Sequence, residues 1–229
     1  MASNDNSCIT LRYPATRWQD ALPCGNGTVG ALVYGGTQNE KIVLNNESLW
    51  WRSPKPTLPD ISGHLPELRR LLEQEDWERA NSFMAERLEE QGYPNHRPGA
   101  FHPAFDLLVD RDPLAPMCGY RRVLNFTSGE ARVRWQEAQV EFDRRLFVSR
   151  TDDVVVMRLR ASGPGRVSAV LQLDQHSLDK PAALGSETIR YQNAIEVPLQ
   201  YRRSAEDSWL TLTARYTDTG GEFGGIARV

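Results

Sequence analysis

The chain has 229 residues, a net charge of −3 and a 40% hydrophobic fraction that includes six tryptophans, enough for one large β domain or two small ones. Its 27 basic residues are interspersed with 30 acids, and nothing in the totals suggests affinity for nucleic acid or lipid. Three irregularly spaced cysteines (Cys8, Cys24, Cys118) and four scattered histidines spell neither a disulfide framework nor a zinc site.

No stretch approaches the roughly 18 apolar residues that span a bilayer. The first six residues lack the basic region and apolar run of a signal peptide. The expectation is a reduced, cytoplasmic protein with no cofactor and no metal.

Taken in order, Cys8 to Tyr13 alternates and reads as a first strand ending at Pro14, with Trp18 in a connector. Gly25, Gly27 and Gly30 then spell G-x-G-x-x-G. A dinucleotide site needs a strand before that motif and a helix opening at its third glycine. Pro23 interrupts the first, and Gly35-Gly36 follow too soon for the second. A kinase glycine-rich loop fails as well, since no strand with a V-A-I-K-type lysine follows. The run instead predicts a tight turn at Gly25-Asn26-Gly27 feeding strands over Val29–Tyr34 and Lys41–Leu44.

Four prolines make Ser53 to Pro66 a loop. Beyond it the apolar residues fall at helical spacing, first Leu68, Leu71 and Leu72, then Trp77, Ala80, Phe83, Met84 and Leu88. The first set calls for an apolar residue at 75 or 76, where Glu75 and Asp76 stand. Two short helices with a break near 74–76 follow, Asp76 capping the second. The helical insertion spans about 65–91.

From Asp106 onward the chain predicts strands over Leu107–Val109, Tyr120–Phe126, Glu130–Trp135, Ala138–Val148, Val154–Ala161, Arg166–Leu173, Thr188–Gln192, Ala194–Leu199 and Ser208–Tyr216, separated by glycine-rich turns. Alternation is clearest where Ala131, Val133 and Trp135 interleave with Arg132 and Arg134, and where Val154 and Val156 run on to Arg158 and Arg160. The fold class is mainly β, a large antiparallel two-sheet sandwich with a short helical insertion.

Several motifs make a family legible. Leu22-Pro23, Gly25-Asn26-Gly27, Gly30-Ala31 and Gly35-Gly36, followed by Leu44-Asn45 and Ser48-Leu49-Trp50, resemble the start of the N-terminal domain of glycoside hydrolase family 95, the α-L-fucosidases and related exo-glycosidases. Phe101 to Leu107, Tyr120 to Leu124, Phe142 to Ser149 and Asp152 to Val156 resemble it too. Asn46, His102, Phe105 and the run Trp51-Arg52-Ser53 depart from it. The resemblance implies a supersandwich with a helical insertion, followed in the family by an (α/α)6 barrel that carries the catalytic groups.

That barrel is absent from these residues, and the sandwich is expected to be incomplete at its C-terminal end, with an unpaired edge near Ser208 to Tyr216. The expected role is the non-catalytic N-terminal domain of a fucosidase-like hydrolase, inert alone, packing on the barrel and helping to shape its cleft. The alternative is a stand-alone carbohydrate-binding sandwich.

Inversion at a glycosidic bond needs two carboxyls about 6.5–9.5 Å apart. Asp152-Asp153 is the visible doublet, but adjacent strand residues face opposite ways, so no catalytic residue is assigned. Trp50, Trp51, His96 and His102 are candidates for a substrate-cleft rim. Gly25, Asn26, Gly27, Gly30 and Asn45 are assigned structural roles. The expected partners are the downstream barrel and a carbohydrate, not nucleic acid or a membrane.

Overall fold

The structure, a computed structural model, describes residues 7–51, 57–93, 100–163, 167–176 and 197–229. The predicted strand Thr188–Gln192 and the first half of Ala194–Leu199 lie outside the described residues, as does His96. In chain order the elements are β1 (Cys8–Leu11), β2 (Leu22–Gly25), β3 (Val29–Val33), β4 (Asn39–Asn46), β5 (Trp50–Trp51), α1 (Leu65–Glu73), α2 (Trp77–Glu90) and β6 (Ala100–Phe101). They continue with β7 (Phe105–Asp110), β8 (Met117–Asn125), β9 (Glu130–Glu137), β10 (Val140–Val148), β11 (Val155–Ala161), β12 (Val170–Asp174), β13 (Leu199–Glu206), β14 (Trp209–Tyr216) and β15 (Glu222–Arg228).

The chain forms two compact units, and the first comprises Met1–Leu49 and Phe101–Val229. Three antiparallel sheets build it, ordered β1-β8-β9-β10-β11, β12-β7-β4-β3-β2 and β13-β14-β15. The first two face each other as a sandwich. Strict alternation sends Ala131, Val133 and Trp135 of β9 and Phe142, Leu146 and Val148 of β10 inward. They meet Leu22, Ala31, Val33 and Ile42 from the second sheet. The Trp135 and Phe142 rings stack with centroids 5.0 Å apart and planes 6° apart, an arrangement worth about 0.5–1.5 kcal/mol beyond area burial.

Pro23 lies inside β2, where the sequence predicts an interruption. β2 is the edge strand of its sheet, where a missing N–H breaks no ladder. β14 also differs from expectation. It is no unpaired edge, because β13 and β15 flank it on both sides.

Charged side chains are buried in this sandwich as well. Glu40 and Arg144 pair directly, and Glu40 also accepts the Gly35 N–H at 2.9 Å. Arg122, fully buried, donates to the carbonyl oxygens of Tyr13 and Asp20 at 2.8 and 2.6 Å. Arg111 holds Glu137 in a two-point pair at 2.6 and 2.9 Å. Glu40 and Glu137 thereby have arginine partners, without which burial would cost several kcal/mol, while Arg122 is held by neutral carbonyl oxygens with its second Nη unpaired.

The second unit runs from Trp50 to Ala100. Its helices break where the apolar period fails, at 74–76, with Glu75 at φ 60° and the Asp76 carboxylate accepting the Arg79 N–H at 3.1 Å. A cap of this kind contributes about 1 kcal/mol. Leu71 and Ala80 are its buried helical residues, while Trp77 is 63% exposed.

Candidate functional site

The glycine run is a structural corner. Backbone N–H of Asn26 donates to Val29 O, and the Asn26 side-chain oxygen accepts the N–H groups of Thr28 and Val29 at 3.0 and 2.8 Å. Its amide nitrogen donates to Ser149 O at 2.7 Å and to the Asp153 carboxylate at 2.6 Å. Of the three motif glycines only Gly27 has positive φ, at 103°. Gly25 and Gly30 pair with each other across β2 and β3. No helix opens at Gly30, so the amide cradle of a dinucleotide site does not form. Asn45 sits opposite Gly30 in β4, its side-chain oxygen accepting the Asn46 N–H at 2.8 Å.

Of the rim candidates, Trp50 is 49% exposed and Trp51 half-buried. His102 is buried. Its Nδ1–H donates to Pro103 O at 2.8 Å, which fixes the tautomer, and Nε2 accepts the Tyr216 hydroxyl at 2.5 Å. Burial lowers its pKa, against the opposing pull of the Pro103 carbonyl. Both ring nitrogens are thus committed inside the protein. The proline-rich loop gave no sign that Tyr216, from the far end of the chain, would cover this ring.

The buried carboxyls among the described residues do not form an acid–base pair in a cleft. Burial raises the Glu40 carboxyl from its ordinary value while Arg144 opposes, but Glu40 is sealed beneath both sheets. Asp106, also buried, accepts from His176 Nδ1 at 2.8 Å. Cys24 is buried and its thiol is pushed up to about 11 by that burial, so it is no nucleophile at neutral pH. Among the described residues no cluster of three His, Cys, Asp or Glu could hold a metal.

A broad concavity lies elsewhere, on the outer face of the β1-β8-β9-β10-β11 sheet, with a volume of about 990 Å³. Arg12, Arg121, Arg132, Arg134 and Arg160 line it against only Glu141 and Asp143. The register builds two rows. Arg121, Arg134, Asp143 and Arg160 lie side by side across β8, β9, β10 and β11, and so do Val123, Arg132, Arg145 and Arg158. Asp143 serves three guanidiniums, from Arg132 at 2.6 Å, Arg145 at 3.1 Å and Arg134 at 3.5 Å. Burial would raise its pKa, but the bonds from Arg132 and Arg145 prevail and hold it below the usual carboxylate range.

A β-bulge shapes one end. Gly119, at φ 60°, and Tyr120 together oppose Trp135, which turns Tyr120 inward and Arg121 outward. Bulges re-aim side chains and bend the sheet locally. The alternation of Arg132 with Arg134 and the pair Arg158 and Arg160 are visible in the sequence. The cross-strand register that stacks them is not.

The described residues thus form a mainly β architecture of antiparallel sheets, with the helices in a separate unit. The chain belongs to the family described as Glycosyl hydrolase family 65, N-terminal domain, whose model matches residues 9–226. It is similar to Alpha-L-fucosidase 2 of Arabidopsis thaliana, 30% identical over 183 residues that cover 76% of this chain and 21% of that protein. It is also similar to Probable alpha-fucosidase A of Aspergillus niger, 30% identical over 150 residues covering 62% and 18%. The chain therefore spans about a fifth of the length of these curated relatives. The likeness to an α-L-fucosidase N-terminal domain drawn from the sequence stands, under a family model numbered 65 rather than 95.

Proposed function

We propose that this chain is the non-catalytic N-terminal domain of an α-L-fucosidase-like glycoside hydrolase, packing on a downstream catalytic barrel and helping to shape its cleft. The observation that carries this is the match of nearly the whole chain to a glycoside hydrolase N-terminal domain, alongside fucosidases of which it covers about a fifth. The committed state of the carboxyls supports it. Glu40 and Glu137 are locked in buried arginine pairs and Asp143 in an arginine cluster, whereas hydrolysis needs two carboxyls free to reach a sugar. In this reading Trp50 and Trp51 stand at the cleft rim, and hydrolysis of a terminal α-fucosyl bond belongs to the whole protein.

The test is turnover of an aryl α-L-fucoside by residues 1–229 alone. None above background is expected. Turnover that disappears when a single acid of this chain is changed to its amide would overturn the reading.

A further inference from the structure

We propose that the arginine-lined trough on the outer face of the β1-β8-β9-β10-β11 sheet binds an anionic saccharide, one whose sulfate or carboxylate groups are repeated along a short chain. The saccharide half of this assignment rests on the glycoside hydrolase reading above. The anion half rests on the trough alone.

The first argument is electrostatic. Like charges placed directly opposite one another in antiparallel strands destabilise a sheet. Here the register sets Arg121 opposite Arg134, Arg132 opposite Arg145 and Arg145 opposite Arg158. Asp143 bridges Arg132 and Arg145 and reaches Arg134, but Arg121 and Arg158, which face Arg134 and Arg145, add positive charge that no carboxylate among the described residues offsets. A local rule broken this often marks a place where something besides stability is served.

The second argument is the state of the guanidiniums. Arg132, Arg134 and Arg145 share Asp143, and Arg145 also lies 3.7 Å from Glu130. Arg12, Arg121, Arg158 and Arg160 are exposed and have no carboxylate partner among the described residues. A planar guanidinium with its donors unspent is suited to two-point bonds with carboxylate, sulfate or phosphate. Five arginines against two carboxylates leave the trough with an excess of three positive charges, on a chain whose total is −3.

The third argument concerns size and lining. A volume of about 990 Å³ suits an oligosaccharide rather than a lone ion. Strands lie about 4.8 Å apart, so Arg121 and Arg134 offer adjacent docking points, with Arg160 a further one beyond Asp143. Thr10, Gln136 and Ser162 add neutral hydrogen-bonding groups suited to sugar hydroxyls. A protein partner fits less well, because interface cores are depleted in charge and built on apolar anchors. Nucleic acid fits less well on a chain whose net charge is −3, since nucleic-acid-binding domains are commonly basic overall.

The experiment is calorimetric titration of the 229-residue chain with a sulfated fucose oligosaccharide, its desulfated counterpart, and a single-stranded oligonucleotide. The same titrations are made with Arg121→Gln and Arg160→Gln together. Binding of the sulfated sugar is expected, weakening on the order of 10–100-fold between about 50 and about 200 mM salt as three or so ion contacts are screened. The desulfated sugar should not bind. The double variant should lose at least about tenfold in affinity while unfolding at about the same temperature, because Arg121 faces Arg134 and Arg160 makes no ion pair among the described residues.

Absence of sulfated-sugar binding, or equal binding by the variant, overturns the proposal. So does a variant that unfolds earlier, which would make these arginines structural. Tighter binding of the oligonucleotide overturns the saccharide half, and the fucoside assay then remains a separate test of the hydrolase reading. Equal binding of the desulfated sugar overturns the anion half.

Discussion

Asn26 and Ser149, 123 positions apart, are joined by a 2.7 Å hydrogen bond from the Asn26 side-chain amide to the Ser149 carbonyl oxygen. The same side chain caps its own turn and reaches Asp153, so one residue fastens the β2–β3 corner to the β10–β11 connection. Single bonds of this type contribute about 0.5–1.5 kcal/mol net. Asn26→Ala is expected to cost about 2–3 kcal/mol in urea denaturation. Asn26→Asp keeps the turn's acceptor but sets a carboxylate against Asp153. Its loss should be at least as large at neutral pH and shrink as the medium is acidified. An alanine variant as stable as the parent would show the fastening to be idle.

The glycines divide sharply by what a Cβ would meet. At Gly36 it would lie 2.0 Å from the Asn39 carbonyl oxygen, backbone that cannot swing aside, whereas at Gly30 the nearest atom is 3.9 Å away. Gly36→Ala is expected to cost more than about 2 kcal/mol, and Gly30→Ala to stay within about 0.5 kcal/mol. Thermal unfolding of the two variants side by side decides it. Equal losses would mean that the motif glycine Gly30 has a constraint the backbone does not reveal.

Stability should also carry a histidine signature. The pKa of His102 is lowered in the fold, chiefly by burial, so the folded protein prefers the neutral ring and the unfolded chain takes up the proton first. Its contribution is intact above the unfolded value of about 6.5 and is lost as pH falls from there toward the folded value. Urea midpoints measured from about pH 7 to about pH 5 should decline, and His102→Gln should flatten that decline even though it starts less stable. An unchanged slope in the variant would assign the acid sensitivity to other groups.

What could be read from the sequence depended on whether a strand's signal was its own. β9 and β10 were legible because every second residue is buried in one core and the rest face water. β13 was not, because Arg202 to Glu206 are all exposed and offer no apolar beat. β15 was hidden by Gly224 and Gly225, the latter kept small by the Phe105 ring, which a Cβ would approach to 2.3 Å. The trough failed for another reason. Its arginines were visible strand by strand, but opposition across strands is a property of register, which no single strand's pattern reveals.

The bulge in β8 has a consequence for how the trough can vary. Cys118 lies opposite Gln136 and Arg121 opposite Arg134, with two residues sharing Trp135 between them. Deleting Gly119 would leave both pairings in place and still turn Tyr120 inward. Only the extra twist and bend that a bulge supplies would go. The local bend at this end of the groove is therefore separable from the side chains that line it. Losing that one residue would straighten the strand there while each arginine keeps the neighbour it already has.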